Sequence, residues 1–88
     1  MADLEVVFAA HAEIIRNLEK KPTEEEFNEL YGLYKQGTLG NNYTAKPDVY
    51  DKQNINRWES WNKHRGMSKQ DAMRNYIILS KVVMGRKD

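Results

Sequence analysis

The sequence predicts an all-α fold of four helices, and three observations predict it. Apolar residues recur at helical spacing through most of the chain, and no stretch alternates cleanly enough to read as a strand. Ser/Thr-x-x-acid patterns mark helix starts at Thr23 and Ser68. Pro22, Gly37, Gly40 and Gly66 punctuate the intervals between the periodic segments.

In the first helix Leu4, Phe8, Ala12, Ile15 and Leu18 wind into one stripe wide enough to face a core. Lys20-Lys21-Pro22 marks its end, because the cations suit the negative helix terminus and Pro22 cannot continue the ladder. The second helix begins at Thr23, whose hydroxyl and the Glu26 carboxylate form a capping box. Phe27, Leu30, Tyr31 and Tyr34 repeat along it until Gly37 and Gly40 stop the pattern. From about Gly37 to Asp51 there is no period and many turn formers, which predicts a long loop. Such loops exceed about 12 residues uncommonly and are then often functional, so this one is expected to pack over something. The third helix carries Ile55, Trp58 and Trp61 and closes near Gly66, with both tryptophans read as core. The fourth opens at a second capping box, Ser68 to Asp71, and sets Ala72, Met73, Tyr76, Ile77, Ser80 and Val83 on one side. Gly85-Arg86-Lys87-Asp88 reads as a frayed tail. The short turns at Pro22 and Gly66 predict antiparallel pairing of helices one with two and three with four.

Composition narrows the function. A chain of 88 residues is one domain, spanning 1–88, and buries about two-thirds of its unfolded surface. Its 14 Lys plus Arg against 13 Asp plus Glu give a net charge of +1, which lacks the basic excess that holds a protein on nucleic acid. Any anion site must therefore be a local cluster. With no cysteine, disulfides, thiolate metal sites and cysteine nucleophiles are excluded. The N-terminus carries acid where a signal peptide carries base, and apolar runs stop far short of the roughly 20 residues of a membrane span. The chain reads as soluble and cytoplasmic, without stable membrane insertion; no heptad seam argues for a dimer, so a monomer is expected.

Catalysis finds little support. His11 and His64 stand apart from any serine and acid at relay spacing and read as packing or surface residues. Glu24-Glu25-Glu26 suits the first turn of a helix, so no metal or catalytic cluster is read there. No phosphate-loop glycine pattern occurs. Tyr31 and Lys35, one helical turn apart, aim an aromatic plane and an ammonium into the same space, a pairing that suits an anion attached to a flat ring. Gly32 between them costs about 1 kcal/mol in a helix interior, which implies a close approach to the backbone. Alone, this segment is more simply read as core tyrosines with a solubilising lysine. Arg57 borders the tryptophan stripe, where a guanidinium can grip phosphate bidentately. Tyr76 interrupts an aliphatic stripe with a hydroxyl. A helical protein-interaction module is the alternative to a ligand carrier.

Taken in order, Phe8, Ala12 and Leu18, then Pro22-Thr23-x-Glu25, Tyr31-x-x-Tyr34-Lys35-Gln36-x-Thr38-x-Gly40, Lys46-Pro47, Arg57-Trp58-x-x-Trp61 and Gly66-Met67-Ser68-Lys69-x-Asp71-Ala72-Met73-x-x-Tyr76 resemble the acyl-CoA-binding protein family over nearly the whole chain. The resemblance implies four helices in a shallow bowl, with CoA on the rim and the acyl chain in a groove. By position it implies that Tyr31 contacts adenine, that Lys35 and Arg57 bind the phosphates, that Arg16 lies near them, and that Tyr76 lines the site. Gly32, Leu33, Tyr34 and Gln53 complete the implied ligand-binding set, and Ala12, Phe27 and Asn28 the implied acyl groove. No cofactor is implied; the partners are acyl-CoA thioesters of medium to long chain and the enzymes that use them. Gln53 and Ile55 stand where lysines are frequent, Arg57 replaces a lysine, Tyr43 a common asparagine, Asn28 an aliphatic residue and His11 a small one.

Overall fold

The structure is a computed structural model that describes residues 3–85; Met1, Ala2 and the expected tail residues Arg86, Lys87 and Asp88 lie outside them. It contains α1 (Leu4–Arg16), α2 (Glu24–Leu39), α3 (Lys52–Asn62) and α4 (Lys69–Met84), with no strand among the described residues. Each helix starts at a side-chain cap: Asp3, Thr23, Asp51 and Ser68 accept from backbone amides of the first turns. At Thr23 the box is complete, since Glu26 Oε1 accepts from the Thr23 amide at 2.8 Å. At Ser68 only half forms. Asp71, one methylene shorter than Glu, turns its carboxylate to Arg74 at 2.9 Å.

Three boundaries differ from expectation. α1 ends at Arg16, not at Lys20–Pro22, because the Asn17 amide folds back to donate to the Glu13 carbonyl at 2.9 Å and competes with the next turn. α2 runs through Gly37 and stops only at Gly40, whose φ of 83° a side chain would resist. Gly37 is buried inside the helix, where Met73 of α4 packs against the space a Cβ would fill. α3 closes at Asn62, and Gly66, with φ 94°, belongs to the turn beyond it.

The expected pairing of sequence neighbours is also corrected. Backbones approach closely between α1 and α4, α4 and α2, and α2 and α3; α1 and α2 do not meet in this way, nor do α3 and α4. The interhelical segments at Pro22 and Gly66 are long enough to carry the chain to a non-adjacent place. The result is a flat layer in the order α1, α4, α2, α3, with extents of 40 × 31 × 15 Å. Phe8, Ala12 and Ile15 of α1, Leu30 and Leu33 of α2, and Met73, Tyr76 and Val83 of α4 form its core.

The first part of the expected loop packs over α3, while Val49 and Tyr50 farther along stand exposed. The Trp61 indole donates to the Gly40 carbonyl at 2.8 Å and the Trp58 indole to the Thr44 carbonyl at 3.1 Å. Asn41 Oδ1 accepts from both Gln36 Nε2 (2.9 Å) and the Gly66 amide (2.8 Å), fastening the end of α2 to the turn before α4. Gln36, fully buried, also donates to the Met67 carbonyl at 2.8 Å.

Candidate ligand-binding site

Two cations from different helices converge on one aromatic ring. Lys35 Nζ of α2 lies 5.5 Å from the Tyr31 ring centroid and 5.7 Å from that of Trp61. The Arg57 guanidinium of α3 lies 5.0 Å from the Phe27 centroid and 5.8 Å from that of Tyr31. The convergence depends on how closely α2 and α3 cross, and they cross at Gly32, where a Cβ would run into the Ser60 carbonyl. Around these groups opens a hollow of about 300 Å³ lined by Tyr31, Lys35, Thr44, Pro47, Asn54, Arg57, Trp58 and Trp61. Among the described residues neither cation has a carboxylate partner, and the buried Arg57 Nε has no hydrogen-bond acceptor. A buried donor without an acceptor is costly, and an anion with several oxygens relieves it.

Tyr31 also borders a second hollow, of about 180 Å³, between α1 and α2 with α4 beneath. Ala12, Ile15, Arg16, Phe27, Leu30, Tyr34 and Tyr76 complete its wall. Its rings are locked to the core: Phe8 stacks on Tyr34 at 5.5 Å and meets Tyr76 edge-on at 5.1 Å. Burial pushes the Tyr76 phenol up to about 12, only partly opposed by the charge of Arg16, so it is a neutral donor at physiological pH. Arg16 stands exposed at the lip, ion-paired to Glu13 at 2.6 Å, and that bond holds its guanidinium above the usual range. An aromatic slot with cations at two edges takes a flat ring carrying anionic groups.

Residues 5–80 match the model of the family described as acyl CoA binding protein. The chain belongs to the acyl-CoA-binding protein family. It is 44 % identical over 70 residues to the acyl-CoA-binding protein homolog of Drosophila melanogaster, covering 80 % of this chain and 81 % of that one. It is 38 % identical over 73 residues to the acyl-CoA-binding protein of Saccharomyces cerevisiae, covering 83 % and 84 %. The crystal structure of Oryza sativa acyl-CoA-binding protein 2 superposes with a TM-score of 0.87 at 33 % identity, over 92 % of this chain and 88 % of that one.

Set against the positions that the family resemblance implies, the structure brings Arg16, Tyr31, Tyr34, Lys35, Arg57 and Tyr76 around the two adjoining hollows, with Ala12 and Phe27 beside them. Ala12 and Phe27 thus share their hollow with Tyr31 and do not define a separate groove. Asn28 stands apart, one residue round the helix, in a different cleft with Glu25, Glu29 and Asn56. Gly32 and Leu33 are buried, Gly32 against the α3 backbone and Leu33 in the core, so the close approach that Gly32 permits is that of a helix. Gln53 is exposed in the first turn of α3 and lines neither hollow. His11 donates Nδ1–H to the Val7 carbonyl at 2.9 Å, and His64 bonds Glu29 at 2.7 Å, the packing roles expected of both. Trp58 corrects its core reading: it is half-buried, with its indole N–H pinning the loop and the ring lining the cationic hollow. Thr44 and Pro47 were not among the expected site residues; the Thr44–Trp58 pairing spans 14 positions and leaves no local pattern.

Proposed function

We propose that this member of the family binds medium- to long-chain acyl-CoA thioesters in the cytoplasm as a monomer, buffers their free concentration and passes them to the enzymes that consume them, doing no chemistry itself. The observation that carries this reading is the pair Lys35 and Arg57, set over Tyr31 without carboxylate partners among the described residues. In this reading Lys35 and Arg57 grip the phosphates, the guanidinium bidentately, while Tyr31 stacks on adenine and Arg16 adds charge from the opposite lip. Tyr76, neutral and anchored by Phe8, shapes the floor. Binding and release need no bond made or broken, and a neutral tyrosine beside cations offers no general base.

Calorimetric titration with free CoA and acyl-CoA tests the reading. Each of Lys35→Ala and Arg57→Ala removes charge-assisted bonds of about 1.5–3 kcal/mol, so each weakens ester binding roughly 10- to 100-fold while the helical circular dichroism stays unchanged. Ester affinity that survives in the double variant assigns the phosphates to other residues.

A further inference from the structure

We infer that the end of the molecule formed by residues 38–47 and 60–70 docks reversibly on an anionic lipid bilayer; this goes beyond the carrier reading and does not rest on it. The two segments meet at that end. Asn41 accepts from the Gly66 amide at 2.8 Å, the Arg65 guanidinium lies 5.0 Å from the Tyr43 ring centroid, and Lys69 Cε lies 3.4 Å from the place of a Cβ on Gly40. Together the segments hold Lys46, Lys63, Arg65 and Lys69 but none of the 13 Asp and Glu of the chain. Lys46 and Lys63 pair with Glu59 and Glu29, and Asp71, just past the end, pairs with Arg74. Among the described residues Arg65 and Lys69 have no carboxylate partner. A chain of net charge +1 therefore carries an acid-free end with two uncompensated cations.

Apolar side chains stand beside those cations. Leu39 and Tyr43 are 61 % and 78 % exposed. Scattered exposed apolar residues are ordinary, but Leu39 adjoins Gly40, against which Lys69 lies, and Tyr43 carries Arg65 on its ring. A tyrosine with an apolar ring and a polar tip sits well at the headgroup level of a bilayer, and long cationic side chains cover apolar surface while keeping their charge in water. Leu39, Tyr43 and Arg65 wall neither hollow of the candidate site nor the cleft between α2 and α3, so they offer a peptide no groove, whereas a planar charged surface needs none. Val49 and Tyr50 are also exposed, but Asp48 and Asp51 beside them repel the same surface. Thr44, next to Tyr43, lines the cationic hollow, so docking sets that hollow at the margin of the bilayer.

Co-sedimentation of the ligand-free protein with large phosphatidylcholine vesicles, with and without about 30 mol % phosphatidylserine, at low salt, tests this. Binding is expected to the anionic vesicles alone, and raising salt to about 0.5 M is expected to release most of it. One cation at such a surface is worth about fivefold in partition, so Arg65→Gln and Lys69→Gln are each expected to weaken binding by about that factor, and Tyr43→Ser severalfold. Lys81→Gln removes the same charge from an exposed position in the last turn of α4, outside this end, and is expected to stay within about twofold of wild type. All four side chains are exposed, and helical circular dichroism checks that the variants keep their fold. An equal loss in Lys81→Gln assigns binding to net charge and overturns the inference. So do wild-type binding by Arg65→Gln and Lys69→Gln, equal binding to both kinds of vesicle, and no binding to anionic ones. Self-association through Tyr43, or retention on an acidic polypeptide, in place of vesicle binding gives this surface to a protein and overturns it as well.

Discussion

An alanine methyl at Gly32 would fall inside the van der Waals envelope of the Ser60 carbonyl, with the Trp61 amide nitrogen 3.0 Å away. Both neighbours are backbone, so α3 itself must move. Gly32→Ala is expected to cost about 2–3 kcal/mol in urea denaturation, and to weaken ligand binding by parting Lys35 from Arg57. Gly37 provides the contrast. There the nearest atom is Met73 Cγ at 3.2 Å, on a flexible side chain, and alanine gains about 1 kcal/mol of helix propensity, so Gly37→Ala is expected to stay within about 1 kcal/mol of wild type. Tyr76 makes a prediction in pH. Its phenol sits near 12 in the folded chain against an ordinary 10.0, so its stabilising contribution is complete below 10.0 and is lost as pH rises through 12. Alkaline titration of stability should show a loss on the order of 2 kcal/mol across that window, and Tyr76→Phe should remove this part of it.

How much the helices announce themselves follows from how local their signals are. The Thr23 box lies within four consecutive residues and forms as read. The end of α1 does not, because a side-chain amide at Asn17 competes with the cations and proline downstream, and both are legitimate stop signals. Gly37 reads as a breaker in sequence, while its tertiary reason, the close packing of Met73, lies 36 positions on. The order of the helices, and with it the separation of Asn28 from Phe27, depends on contacts between segments distant in sequence. Tyr31 and Lys35 were legible because they share a helix face, and Arg57 because it borders the tryptophan stripe; that the two cations act together was legible only through the family pattern. Contact between α2 and the end of α3 also makes a prediction. Burial pushes the Glu29 carboxyl up, but hydrogen bonds from Lys63 and His64 outweigh it and hold it below its ordinary 4.5. A lowered carboxylate binds fewer protons folded than unfolded, so stability falls as pH drops from 4.5 through the folded value. Glu29→Gln should flatten that acid limb of the stability curve, measured by denaturant titration at stepped pH.

A layer only 15 Å thick between extreme Cα atoms leaves little interior, and the radius of gyration of 13.2 Å exceeds the roughly 12 Å expected for this length. Stability must then come from one sheet of side chains, without a disulfide to restrain the unfolded chain. The same flatness exposes a broad face on which α1, α2 and α3 each present part of the site, so a ligand spanning Arg16, Tyr31, Lys35 and Arg57 bridges α1 to α3, whose backbones do not approach each other. No described helix is long and apolar enough to cross a membrane. Binding to the folded state alone adds about 2.7 kcal/mol when free ligand is a hundredfold above its dissociation constant. A domain of this size gains roughly 4–8 °C in Tm per kcal/mol, so acyl-CoA at that concentration should raise Tm by roughly 10–20 °C in scanning calorimetry. Lys35→Ala and Arg57→Ala proteins, compared at the same ligand concentration, should lose about half of that rise or more while keeping their ligand-free Tm close to wild type. A large drop in the ligand-free Tm would instead make the cation pair part of the scaffold.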